Sequence, residues 1–219
     1  HSIVPGSLME FYDSIGVQRD VASRPDTTHY GLRALTSVKY LFDNDHDENY
    51  FAGEDYASPE MPGWMYYGNA NGFDIWENEN YIPMGFTYDH YVTEETYDAT
   101  PEDRRDLLML KGIVLTEQQI EEWGDMLTEL PADQVSYTTA AYEADCADRA
   151  ALTCDTFQYT STGFTATIST SRDVPVFFSI PYESGWSAYV NGEEVDMSEN
   201  IDYSDTNYDL RSIIEGDRS

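Results

Sequence analysis

The chain has 219 residues, 41% of them hydrophobic and 14% aromatic, and carries 42 Asp and Glu against 11 Lys and Arg. That length and apolar content suit a folded chain with a real core. A formal net charge of −31 repels phosphate backbones and so excludes nucleic acid as a partner. The lack of any long apolar run predicts a soluble chain that does not itself cross a bilayer.

From the N-terminus, Leu8, Phe11, Tyr12 and Ile15 share one face of a helix over 7–16, with Ser7 as N-cap and Gly16 as stop. After a polar, turn-rich stretch, Ser37 to Phe42 reads as a strand. An acidic loop follows, in which Asp43, Asp45, Asp47 and Glu54 take the first, third, fifth and twelfth positions of a calcium-loop pattern. Glu48 stands at the position where that pattern wants glycine, and a strand precedes it where a helix belongs. Calcium and a merely solvated acidic loop are the two readings.

Between 50 and 91 aromatic residues crowd among glycines, which predicts short strands and turns. Such side chains either fill a core or stack on the apolar faces of sugars while carboxylates take the hydroxyls. Trp64, Tyr66 and Trp76 are the candidates for glycan binding. Further on, Pro101 and the stripe Leu107, Leu108, Leu110 predict a helix over 101–112 that Gly112 ends. Thr116 with Gln119 as capping-box partner opens a second helix over 116–130, carrying Ile120, Trp123, Leu127 and Leu130 to the stop at Pro131. A short strand is expected near 134–142.

Cys146 and Cys154 are a disulfide candidate, two structural thiols being the alternative; without a CxxC motif or a nearby histidine they form no zinc site. Phe157 to Ser169 alternates as a strand, with Phe164, Ala166 and Ile168 on one side. Val174, Val176, Phe177, Phe178 and Ile180 form a buried strand that breaks at Pro181, and Trp186, Ala188 and Val190 lead into a type I′ turn at Asn191-Gly192. The closing strand falls either at Tyr208 to Ile214 or elsewhere. The expected fold is α+β: a mixed α/β region with two or three helices over 1–143, then an antiparallel, jelly-roll-like β-sandwich over 144–219. No hydrolase, zinc-protease or nucleotide-loop motif is present, and His1, His29, His46 and His90 are scattered. The reading assigns no catalytic residue.

Four segments in order, Ala34 to Phe42 (ALTSVKYLF), Tyr81 to Tyr91 (YIPMGFTYDHY), Asp103 to Leu115 (DRRDLLMLKGIVL) and Phe164 to Gly192, with its FTATI, SIPY and GWSAYVNG, resemble the C-terminal part of the YfhO family of bacterial membrane proteins. The resemblance implies the extracytoplasmic region of a polytopic, glycosyltransferase-like protein of GT-C type, on the outer side of a bacterial plasma membrane. The family is connected with glycosylation of wall polymers such as teichoic acids. Its catalytic acids are expected near membrane helices that this chain lacks, so the implied role is to bind or position a glycan acceptor, or to brace the membrane-embedded part of the same protein, with no cofactor unless calcium binds. The competing expectation is a secreted carbohydrate-binding or adhesion module, calcium-dependent in one version. A spacer without ligand is the third.

Overall fold

The N-terminal apolar stripe folds as a helix in the computed structural model, which describes residues 6–17, 25, 27–44, 51, 59–181, 186–195 and 212–214. Helix α1 (Gly6–Ser14) is followed by α2 (Tyr30–Leu35). Strands β1 (Tyr40–Asn44), β2 (Trp64–Ala70) and β3 (Phe73–Asn78) then form an antiparallel sheet in the order β1-β3-β2. Asn71 and Gly72 join β2 to β3 at φ of 54° and 79°, the positive values that a type I′ turn needs and that Asn-Gly adopts readily. One irregularity breaks the ladder: Tyr66 pairs with Trp76 and Gly68 with Ile75, so Tyr67 is a bulge residue.

Strands β4 (Phe86–Thr87) and β5 (His90–Thr93) lead into α3 (Glu94–Ala99), α4 (Glu102–Lys111), β6 (Ile113–Leu115), α5 (Glu117–Trp123) and β7 (Thr128–Glu129). Here β5 pairs in parallel with β6 on one side and β7 on the other. Helices supply the crossovers that parallel neighbours require. The Thr116–Gln119 capping box is formed as expected. The second helix stops at Trp123, however, and a 3-10 turn over Gly124–Met126 replaces its second half, since Gly124 gives up helix propensity mid-stripe. Just past the Gly112 stop, Ile113 opens the buried strand β6.

The strand expected near 134–142 is not there. Gln134 ends a 3-10 turn, and Thr139–Ala150 is a helix, α6, capped by the Thr138 hydroxyl accepting the Ala141 N–H. Tyr142, Cys146 and Arg149 are its buried face, spaced four and three residues apart as one side of a helix should be. The run from Phe157 folds back as a hairpin, β8 (Thr156–Tyr159) and β9 (Phe164–Thr167). Then come β10 (Val176–Phe178), a hairpin of β11 (Ala188–Val190) and β12 (Glu193–Val195) turning at Asn191-Gly192, and β13 (Ser212–Ile214). Strand β13 closes onto β10, which also pairs with β4, in the order β13-β10-β4.

The fold is therefore α+β, six helices with several antiparallel sheets among the described residues. Position 144 lies inside α6, and the described strands after it belong to three separate sheets. The main core gathers α1, α2, α4, β5, β6 and α6 around Phe86, Tyr88, Leu108, Leu110 and Phe177. A smaller cluster of Phe51, Met61, Trp64 and Trp76 lies under the β1-β3-β2 sheet. No helix among the described residues is long and apolar enough to cross a membrane.

Candidate functional site

Alternation along β1, β2 and β3 gives their sheet two unlike faces. On the inner one Trp76 is fully buried and Trp64 nearly so, each edge-on to Phe51 with ring centroids 5.1 and 6.0 Å apart. Neither indole presents a ring to solvent, so two of the three glycan candidates are core residues. Tyr66 packs edge-on against Trp76 at 5.6 Å and donates its hydroxyl to Asp74 at 3.2 Å, while part of its ring stays accessible. Of the calcium candidates, Asp43 is buried on this face, accepts the Phe51 N–H, and stands directly across from Asp74 in the ladder. Asn69 also donates to Asp74, at 2.8 Å. Asp45, Asp47 and Glu54 lie outside the described residues, among which no group of three or more metal-ligating side chains assembles.

The outer face carries what sequence reasoning did not single out. Three cross-strand rows cover it: Tyr40, Glu77 and Met65; Phe42, Ile75 and Gly68; Asn44, Phe73 and Ala70. Phe42 is 62% exposed, Met65 54% and Tyr67 64%, with Tyr40 and Phe73 also exposed. The bulge swings Tyr67 over β3 to meet the Tyr40 ring edge-on at 5.7 Å. Nothing stands within 4 Å of where a Gly68 side chain would begin, so the Gly68 end of the middle row lies low beside the raised rings. Two strand spacings make this platform about 10 Å wide, and single exposed apolar residues are ordinary whereas a contiguous patch is not. The signal was legible in principle: Tyr40-x-Phe42 and Met65-x-Tyr67 alternate, and the Asn71-Gly72 turn fixes which residues of β3 lie opposite.

A second aromatic run lines the C-terminal hairpin. Phe157 and Phe164 stack at 5.1 Å, both touch Phe178 of β10, and Trp186 leans on Phe164 at 6.0 Å. These rings face one another more than solvent, although Tyr159 at the end is exposed.

Buried charges act as fasteners. Asp106 of α4 is fully buried and accepts the N–H groups of Leu32 at 3.1 Å and Leu107 at 2.9 Å. Burial pushes its carboxyl up to about 6, against the opposite pull of those N–H groups and of Arg33. Lys111 and Asp145 pair at 2.5 Å between α4 and α6, burial raising the Asp145 carboxyl as well. Arg149 donates to the Thr87 carbonyl at 2.8 Å and sits over the Tyr88 ring, and Asp89 bridges it to Arg172. Asp89 is thereby engaged with arginines rather than with its neighbour His90.

The two cysteines are free: Cys146 packs beside Tyr142 on α6, and Cys154 fits against Gly85 and Phe178. Burial pushes their thiols up to about 12 and about 11, which keeps both protonated and poorly nucleophilic at neutral pH. A crevice lined by Phe11, Leu35, Tyr88, Met109 and Phe177 has about 10 Å³ of room, enough for one water and no substrate. Comparison of the chain with protein families, with curated proteins and with solved structures finds no match.

Proposed function

We propose that this chain is a glycan-binding region, the extracytoplasmic part of a membrane protein of YfhO type that positions an acceptor for sugar transfer and is not itself catalytic. The observation that carries the reading is the outer face of the β1-β3-β2 sheet, where Phe42, Met65, Tyr67 and Tyr40 hold their rings and thioether in water. Aromatic faces exposed on a rigid sheet stack against the CH faces of pyranose rings, and Glu77 and Asn44 border them with hydrogen-bonding groups. The ligand residues of this reading are Phe42, Tyr40 and Tyr67 of the outer face, and Tyr66, turned to Trp76 and Asp74 on the inner one, is not among them. The jelly-roll sandwich belongs to the same proposal: the seam of Phe157, Phe164 and Phe178 joins the β8–β9 hairpin to β10 and supports one C-terminal sandwich.

A glycan and wall-polymer array, probed with and without calcium, tests the function. The expected result is a reproducible hit that Phe42→Ala and Tyr67→Ala weaken while melting temperature holds; silence in both conditions sinks it in favour of a brace for the membrane part. The second reading is a secreted, calcium-dependent binding module. It is supported by the placement of Asp43 opposite Asp74, two buried carboxylates in one ladder position, an arrangement that a hard cation relieves. Calorimetry with calcium distinguishes it: heat and a raised melting temperature, both lost in Asp43→Asn, favour it.

A further inference from the structure

The ligand class of the platform follows from where the cations of this chain are spent. Eleven Lys and Arg face 42 Asp and Glu, and Arg19, Arg24, Arg211 and Arg218 lie outside the described residues. Each of the other seven is engaged by an acceptor of the protein itself. Arg33 donates to backbone carbonyls of His29 and Pro25. Arg105 donates to those of Ser14, Asp98 and Thr100. Lys111 pairs with Asp145, Arg149 and Arg172 share Asp89, and Arg104 pairs with Asp103. At the rim of the platform, Lys39 stands 3.7 Å from Glu77 and over the Tyr40 ring.

A phosphate or carboxylate of a polymer needs a charge-assisted donor, commonly an arginine fork or a lysine, to replace its water. Among the described residues the outer face offers none beyond Lys39, whose charge Glu77 already balances, and the surrounding field of a chain at −31 is repulsive. The same repulsion opposes covering the face with a second copy. What the face does offer, rings and open space at Gly68, suits a ligand without charge. Resting on the glycan-platform reading above, we infer that the β1-β3-β2 face takes an uncharged pyranose chain and rejects polyanionic polymers, those with phosphate in their backbone included.

The test titrates the chain with chitohexaose, with a hyaluronan oligosaccharide of equal length and with poly(glycerol phosphate), at about 10 mM and about 1 M salt, where the screening length falls from about 30 to about 3 Å. The expected result is binding of the uncharged chain alone, equal at both salts, and weakened about fivefold or more by either Phe42→Ala or Tyr67→Ala with unchanged melting. An anionic chain that binds as well as the uncharged one at low salt overturns the inference. If that anionic binding is lost in Phe42→Ala, the platform stands and only its ligand class falls. If no chain binds at either salt, the platform reading falls and this inference with it. Sedimentation completes the test: a monomer is expected, and a dimer broken by Tyr67→Ala overturns the assignment by giving the face another occupant.

Discussion

The two faces of the β1-β3-β2 sheet are built from the same kinds of residue and have opposite fates. The inner face buries Trp64, Trp76, Asp43 and Asp74, while the outer one leaves Tyr40, Phe42, Met65 and Tyr67 in water. Aromatic content therefore says nothing about exposure here; the pairing register decides it. A shift of one residue exchanges the faces, and the register is held at one end by the Asn71-Gly72 turn and interrupted by the bulge at Tyr67.

The contrast is broken most severely from the inside. Trp76→Ala empties the small core against Phe51 and Tyr66, and chemical denaturation should show a loss of about 3–5 kcal/mol; a loss below about 1 kcal/mol would mean that this face is no core. Next in size is a carboxylate buried elsewhere, Asp106, whose carboxyl is pushed up to about 6 from an ordinary 3.8. Between those values the folded chain holds a proton that the unfolded chain has released. Its contribution is complete below about 3.8 and is lost as pH rises through about 6, a change of about 3 kcal/mol. Asp106→Asn should flatten this part of the fall in stability between pH 4 and 6.5, with the wild-type profile, in which other carboxylates also titrate, as reference.

Smaller again is Asp74→Ala, which removes the acceptor of the Tyr66 hydroxyl and the Asn69 amide and should destabilise by about 1–3 kcal/mol. An unchanged denaturation midpoint there would leave the inner polar contacts without consequence. The smallest expected effect sharpens the comparison. Phe42→Ala and Tyr67→Ala, on the outer face, should move stability by about 0.5 kcal/mol or less while weakening glycan binding. If they instead unfold the chain as Trp76→Ala does, the outer face is a covered surface and not a platform.

Local signals carried much of the fold. The turn at Asn191-Gly192, the capping box at Thr116 and Gln119, the stop at Gly112 and the closing strand within Tyr208 to Ile214 all stand where their residue chemistry puts them. Helix α6 was illegible because Val135 to Tyr142, rich in threonine and tyrosine, carries strand propensity, which tertiary burial of Tyr142, Cys146 and Arg149 overrides. Ile113 to Leu115 is a short apolar run, and periodicity cannot tell such a strand from a helix end. The candidate site was half legible. The aromatic region is legible in the sequence, but that its indoles are buried while Phe42 and Tyr67 stay exposed is not, since alternation names two faces and only long-range pairing says which one the core covers.

The bulge has one more implication, for how this sheet tolerates changes in length. Without Tyr67 the ladder from Trp64 to Ala70 becomes regular, and Tyr66 and Gly68 keep the partners they have. A one-residue deletion there is absorbed, whereas the same deletion at Met65 turns the start of the strand inside out and sends the Trp64 indole to the wrong side. Tyr67 is thus surplus chain: a ring that can be inserted into the sheet or deleted from it while every other residue of the strand stays in place.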